Sequence, residues 1–154
     1  MVIKMIKILF VCHGNICRSP MAEIVMKDMV KRKGIENEFE IASAATSTEE
    51  IGNGVYPPAR KKLSEEGISC SGKTARQMTT EDYSYYDYII AMDRNNLRNM
   101  ARFTGSDPDS KVSLLMDYTA TPRDVADPWY TGDFEQTWKD VNEGCKGILK
   151  KLNK

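Results

Sequence analysis

Short apolar runs alternate along the chain with longer stretches that have helical spacing. The first run, residues 5–11, is mostly apolar and is typical of a strand buried on both faces. Further strands are predicted at residues 39–45, 86–92 and 111–116. All four runs are short enough to be strands and too short to be complete helices.

Helical spacing fills most of the chain between these runs. Ser19 and Pro20 predict an N-cap followed by a first-turn proline, and the helical pattern then continues to Gly34. We expect further helices at residues 58–66 and 94–103, one short turn at 80–83, and loops at 47–58 and 117–132.

The last helix has the clearest pattern of all. Asp133 and Gln136 predict its N-terminal cap. Its apolar side chains then step by four and three residues along one face: Phe134, Trp138, Val141, Cys145, Ile148 and Leu152. Strands that alternate with helices in this way predict an α/β fold with a parallel sheet, and the length predicts one domain over residues 1–154.

Charge and cysteine content exclude several classes of function. Twenty-two basic and 22 acidic residues cancel, so no global field favours nucleic acid or a membrane as a partner. The cysteine spacings match no zinc pattern. Lys4 and Lys7 interrupt any signal-peptide core, and no apolar run approaches the roughly 18 residues of a membrane helix. We expect a cytoplasmic protein.

The segment from Cys12 to Ser19 carries the strongest chemical signal. It follows the first strand and precedes a helix, where free backbone amides and the helix dipole attract anions. Gly14 permits a positive φ and Asn15 tolerates one, so successive N–H groups can turn toward a bound phosphate. Arg18 can add a bidentate contact to the phosphate oxygens. Cys12 would lie at the floor of this nest, where the thiolate is favoured and Ser19 can donate to it. Without the rest of this segment, Cys12 would be interpreted as a small buried apolar residue.

Transfer of a phosphoryl group to a thiol also requires a proton for the leaving oxygen. Asp127 stands in the long loop, before Pro128 and the aromatic residues Trp129 and Tyr130. These neighbours could shield its carboxyl group and stack on a flat leaving group, although an Asp-Pro pair also simply opens turns. His13 is the one histidine of the chain, and we expect it at the rim of the site rather than in catalysis.

Together, the segment Val11–Pro20 and the distant Asp-Pro-Trp-Tyr motif resemble the low-molecular-weight protein tyrosine phosphatases. The resemblance spans nearly the whole chain and implies a three-layer α/β/α sandwich with a central four-stranded parallel sheet and a phosphate-binding loop after strand 1. The loop would comprise His13, Gly14, Asn15, Ile16, Cys17, Arg18 and Ser19. The resemblance also implies a phosphotyrosine-containing protein as substrate, no cofactor and no metal. We expect a monomer or a weak homodimer.

The resemblance also implies the roles of individual residues. Cys12 would be the nucleophile that forms a phosphocysteine, Arg18 would bind the phosphoryl group, and Asp127 would be the general acid and then the general base. Ser43 would support the loop together with Asn15. Cys17 would be the redox partner that traps oxidised Cys12 as a disulfide.

Several positions differ from the common family pattern, and all bear on substrate choice rather than on the central chemistry. His13 replaces an aliphatic residue or threonine, and Lys73 replaces a histidine. Glu49 and Glu50 stand where an aromatic or polar residue often shapes the substrate rim, which we predict to comprise His13, Glu49, Glu50, Trp129 and Tyr130.

Three alternative functions remain open. A protein-arginine phosphatase of the same family would tend to carry threonine where this chain has Ile16. A thiol-dependent arsenate reductase needs two further cysteines beyond the third strand, but residues 71–144 contain none. A catalytically dead phosphotyrosine-binding module would be indicated by loss of Cys12, Arg18 or Asp127, and all three are present.

Overall fold

The structure is a computed structural model that describes residues 4–154, so the first three residues of the predicted domain lie outside the described part. Four parallel strands form one sheet in the order β2-β1-β3-β4. Their bounds are β1 Ile6–Cys12, β2 Phe39–Ala45, β3 Tyr88–Ala91 and β4 Val112–Leu114. The predicted parallel four-stranded sheet is confirmed.

Six α-helices surround this sheet: α1 Arg18–Arg32, α2 Pro57–Glu65, α3 Thr80–Tyr85, α4 Arg94–Thr104, α5 Pro128–Thr131 and α6 Phe134–Lys151. Two 3-10 helices, Glu36–Glu38 and Leu115–Tyr118, precede β2 and follow β4. The predicted N-cap of α6 is present, since the Asp133 carboxylate accepts from the Gln136 amide at 2.9 Å.

Two separate apolar cores lie on the two faces of the sheet. Successive side chains of β1 point to opposite faces, so Ile8 and Phe10 belong to one core while Leu9 and Val11 belong to the other. Helices α1, α2 and α6 cover the first face, and α3 and α4 cover the second. This arrangement is the three-layer α/β/α sandwich that the resemblance implied.

Several predicted elements differ in extent, and α1 has Cys17 rather than the predicted Ser19 at its N-cap position. The expected turn at 80–83 is the helix α3, which begins with a capping box formed by Thr79 and Asp82. The Tyr86 amide donates to the backbone carbonyl oxygen of Asp82 and ends that helix, so β3 starts only at Tyr88. Strand β4 also starts late, because Asp107 accepts from the amides of Lys111 and Val112 and holds the preceding turn. Carboxylate groups thus cap the turns at α3 and before β4, whereas the late start of β3 follows from a backbone hydrogen bond to Asp82.

Helix α6 packs against the segment after β4 through two glycines. A Cβ atom at Gly147 would lie 2.0 Å from the carbonyl oxygen of Tyr118, and one at Gly144 would lie 2.4 Å from Leu115 Cγ. The apolar stripe predicted the buried face of α6, but this close approach depends on residues that have no side chain.

Candidate active site

The segment from Cys12 to Ser19 lies at the carboxyl end of the sheet, as predicted. Cys12 is the last residue of β1, and Arg18 is the first residue of α1. Asn15 adopts the left-handed conformation with φ of 58°, whereas Gly14 does not have a positive φ. The expectation that both residues turn the loop was therefore wrong for Gly14. Gly14 packs beside Glu50, since a Cβ there would lie 3.4 Å from Glu50 Cγ, within van der Waals contact.

The sulfur of Cys12 is buried among hydrogen-bond donors. Cys12 is 3% exposed, and its Sγ lies 3.0 Å from Ser19 Oγ and 3.3 Å from the donating backbone amide of Asn15. The Asn15 side-chain amide donates to Ser19 Oγ at 2.8 Å, and its Oδ1 accepts from the Arg76 amide at 3.2 Å. Because the Arg76 contact fixes which way Asn15 faces, the Ser19 proton remains available for the sulfur. Once Cys12 is ionised, Ser19 is the donor of that pair.

A buried carboxylate continues this network below the loop. Asn15 also donates to Ser43 Oγ at 2.9 Å, and Ser43 in turn donates to Glu23 Oε1 at 2.6 Å. The ammonium group of Lys73 lies 3.2 Å from the same carboxylate oxygen. Ser43 thus contacts Asn15 of the loop, the position in which it was predicted to support the loop. Lys73, which stands where relatives often have histidine, contributes one of the positive charges that face Glu23.

The pKa of Glu23 lies below its ordinary value. Burial by itself would raise this pKa, but hydrogen bonds from Lys27 and Ser43 and the charge of Lys73 outweigh it. Glu23 therefore stays ionised under the loop at neutral pH. Sequence reasoning missed it, although its position four residues after Ser19 places both on the buried side of α1.

Arg18 is 3% exposed and is held by groups from two later segments of the chain. Its Nη1 donates to Asp93 Oδ2 at 2.6 Å and to the Val125 carbonyl oxygen at 2.8 Å, and its Nη2 lies 3.5 Å from Asp127 Oδ2. Burial alone would lower the pKa of Arg18, but Cys12, Asp93 and Asp127 raise it above its ordinary value. The guanidinium is therefore fixed in place and permanently charged.

Asp127 lies across the cavity from the loop. It is the N-cap of α5 and accepts from the Trp129 amide at 3.1 Å, so the predicted loop at 117–132 is helical at both ends. Its side chain is 27% exposed and faces Arg18, rather than being enclosed by aromatic neighbours as the sequence suggested. The carboxyl group is open to the cavity, where a leaving group can reach it.

The loop and Asp127 line one cavity of about 420 Å³. The residues predicted for its rim all line it: His13, Glu49, Glu50, Trp129 and Tyr130. His13 Nε2 lies 3.0 Å from Glu49 Oε2 on the exposed side. One supporting aromatic residue was missed: the Tyr56 ring lies 4.8 Å from the Trp129 ring and braces it.

The four cysteines are free thiols in the structure. Burial, followed by the nearby Cys12 and Asp127, raises the pKa of Cys17 to about 12. Cys17 therefore remains protonated at neutral pH. Over residues 4–154, no group of three or more histidine, cysteine or acidic side chains could hold a metal ion, and no helix in that range is long and apolar enough to cross a membrane.

Comparison with known proteins gives the family. The model of the low molecular weight phosphotyrosine protein phosphatases matches residues 7–154. The chain belongs to this family. It is therefore a hydrolase of the protein-tyrosine-phosphatase class, as the resemblance implied.

Individual phosphatases of this family are similar over nearly their full length. The low molecular weight protein-tyrosine-phosphatase YfkJ of Bacillus subtilis is 40% identical over 97% of each chain. Its crystal structure superposes with a TM-score of 0.93 at 39% identity, covering 97% of this chain and 96% of that one. The phosphatase SP-PTP of Streptococcus pyogenes is 40% identical with a TM-score of 0.85, over 96% and 93% of the two chains. DARP, a drosophila arginine phosphatase, is 28% identical with a TM-score of 0.86, over 97% and 99%.

Proposed function

We propose that this phosphatase hydrolyses phosphotyrosine in proteins, and simple aryl phosphates, through a phosphocysteine on Cys12. One observation carries the proposal. A thiol and a guanidinium from one loop, Cys12 and Arg18, line the same cavity as a carboxyl group from a distant segment, Asp127. The geometry supports these three roles because the thiol lies at the floor and the carboxyl group lies at the open side.

In the first step, the Cys12 thiolate attacks phosphorus, and the S–P bond forms as the bond to the phenolic oxygen breaks. Arg18 and the loop amides stabilise the charge on the phosphoryl oxygens in the transition state. Asp127 gives its proton to the departing oxygen, so the product leaves as a neutral tyrosine.

In the second step, water attacks the phosphocysteine from the open side of the cavity. The Asp127 carboxylate takes a proton from this water, the S–P bond breaks, and phosphate and the Cys12 thiolate are released. The Ser19 hydroxyl stabilises the thiolate as a leaving group, which favours this step.

Phosphoarginine in proteins is the second candidate substrate. The structural similarity to the arginine phosphatase DARP favours it, since the two folds superpose over almost their full lengths. Ile16 lines the cavity, and its apolar side chain offers no hydrogen bond to a phosphoguanidinium group. This side chain favours an aromatic ring over a guanidinium group, so phosphotyrosine remains the first candidate.

The setting of the enzyme follows from the same chemistry. A reactive thiol beside further free thiols supports a reducing compartment, and we propose the cytoplasm. The partner is a phosphorylated protein, and we propose a monomer or weak homodimer that needs no metal or cofactor.

The decisive experiment compares kcat/KM for matched phosphotyrosine and phosphoarginine peptides in the presence of a metal chelator. We expect turnover of phosphotyrosine without added metal, and a clear preference for it over phosphoarginine. Cys12→Ser should abolish turnover but still bind phosphate. Substantial residual activity of Cys12→Ser would refute the mechanism, and a preference for phosphoarginine would refute the substrate assignment.

A further inference from the structure

The cavity has opposite charges at its floor and at its opening. Among the residues that line it, Arg18 is the one permanent cation, and its guanidinium already faces Asp93 and Asp127. The opening carries two further carboxylates, Glu49 and Glu50, from the segment after β2. A phosphate group is therefore attracted at the bottom of the cavity, while the groups around it meet negative charge.

The two rim carboxylates contact an imidazole and a neutral amide rather than a lysine or an arginine. Glu49 is exposed and contacts the imidazole of His13 at 3.0 Å, and Glu50 accepts from the neutral amide of Asn53 at 2.6 Å. Neither partner is a lysine or an arginine, so both carboxylates remain available to a cationic ligand.

Glu50 lies close to the phosphate-binding loop. Its stem packs beside Gly14, with Glu50 Cγ 3.4 Å from the place where a Cβ of Gly14 would stand. Glu50 also lines the same cavity as Cys17, and its charge contributes to the raised pKa of that thiol. The Glu50 charge therefore lies beside the entrance of the cavity.

A bound phosphotyrosine would place its flanking residues at this rim. Its phosphate would reach Cys12 at the floor and its ring would lie against Trp129, so the peptide backbone would pass through the opening that Glu49 and Glu50 help to line. Neighbouring peptide side chains then lie within a Debye length of both carboxylates, roughly 8–10 Å at physiological salt.

We infer that the rim selects phosphotyrosine flanked by basic side chains, with Glu49 and Glu50 as the residues that set this preference. A lysine or arginine next to the phosphotyrosine pairs with the rim, while an aspartate or glutamate is repelled by it. This inference rests on the phosphotyrosine activity proposed above. Its test therefore uses the ratio of kcat/KM for two phosphotyrosine peptides, which can be measured only when that activity is present.

The test uses two phosphotyrosine peptides that differ only in carrying lysine or glutamate on each side of the phosphotyrosine. We expect kcat/KM to favour the lysine peptide by about tenfold at low salt. Each solvent-exposed ion pair with the rim contributes a modest energy, and the gain from lysine adds to the repulsion of glutamate that it replaces. The preference should shrink as sodium chloride is added.

Variants assign the preference to the rim. In the double variant Glu49→Gln/Glu50→Gln, the lysine-to-glutamate ratio should approach one. The matched control is Glu36→Gln/Glu81→Gln, which removes the same charge from exposed sites that do not line the cavity, and it should keep the parent ratio.

Two results would overturn the inference: a parent ratio at or below one, or an undiminished ratio in the Glu49→Gln/Glu50→Gln variant. Hydrolysis of p-nitrophenyl phosphate, which has no flanking residues, separates this failure from failure of the proposed activity. A parent protein that turns over p-nitrophenyl phosphate without distinguishing the two peptides contradicts the rim preference alone. A parent protein inactive on every substrate contradicts the proposed function.

Discussion

The buried Arg18 pairs with the partly buried Asp93, with 2.6 Å between Nη1 and Oδ2. Asp93 is also the N-cap of α4, where its other carboxylate oxygen accepts from the Asn96 amide at 2.8 Å. A single side chain therefore ties the Arg18 guanidinium to the start of a helix on the opposite face of the sheet. This relationship makes Asp93 a positioning residue for Arg18.

We expect Asp93→Asn to lower kcat/KM on p-nitrophenyl phosphate by about tenfold, because it weakens one charge-assisted hydrogen bond to Arg18. Asparagine is also a good N-cap, so the thermal midpoint should change little. Inhibition by vanadate should weaken together with kcat/KM. Asp124→Asn is the matched control, since Asp124 is exposed and contacts the Arg94 amide rather than Arg18. Unchanged vanadate inhibition in Asp93→Asn would show that Arg18 needs no such anchor.

Asp127→Ala should slow the hydrolysis of phenyl phosphate by about 10²–10⁴, the usual contribution of a general acid. The loss should be smaller for p-nitrophenyl phosphate, because its leaving group departs readily without a proton. Comparing kcat for the two substrates measures this difference. An equal loss on both would show that Asp127 acts on binding rather than on proton transfer.

Cys17 should protect the enzyme from peroxide. Peroxide oxidises the Cys12 thiolate to a sulfenic acid, and the Cys17 thiol then condenses with it, forming an S–S bond and releasing water. The pKa of about 12 keeps Cys17 protonated at neutral pH, so Cys12 is the thiol that peroxide attacks first.

The measurement is the activity recovered with dithiothreitol after peroxide treatment. We expect nearly full recovery in the parent and in a Cys70→Ser control, and substantially less in Cys17→Ser. Equal recovery in all three proteins would exclude a protective disulfide between Cys12 and Cys17.

Glu23 should stabilise the fold in a pH-dependent way. Its pKa is lowered in the folded protein, so its contribution is complete above the ordinary value of 4.5 and is lost as the pH falls through the lowered value. Between about pH 5 and pH 3, the free energy of unfolding should therefore fall less in Glu23→Gln than in the parent. Urea denaturation across this range tests the effect, with the exposed Glu36→Gln as control. Parallel curves for Glu23→Gln and the parent would contradict it.

The candidate residues of the site could be picked out from the sequence because each has a local signal. Cys12 and Arg18 share one loop between a strand and a helix, and Asp127 has an unusual neighbourhood of proline and aromatic residues. The sheet was predictable for a similar reason, since each strand is a short apolar run.

The parts that escaped prediction depend on contacts between distant segments. Asp93 contacts Arg18 across 75 residues, and the Arg76 amide fixes Asn15 across 61. The helix at 80–85 escaped because its stability comes from the Thr79–Asp82 capping box rather than from an apolar stripe. Gly14 differs in the opposite sense, since the sequence indicated a positive φ there and the structure does not have one.

The most direct test of the account is to look for phosphate on Cys12 during turnover. The protein is mixed with p-nitrophenyl phosphate, quenched within milliseconds in denaturant, digested and examined by mass spectrometry. The account predicts one phosphate on the peptide that contains Cys12, with more of it in Asp127→Ala when the second step becomes limiting, and none in Cys12→Ser. Turnover without any phosphate on Cys12, or phosphate trapped on another residue, would contradict it.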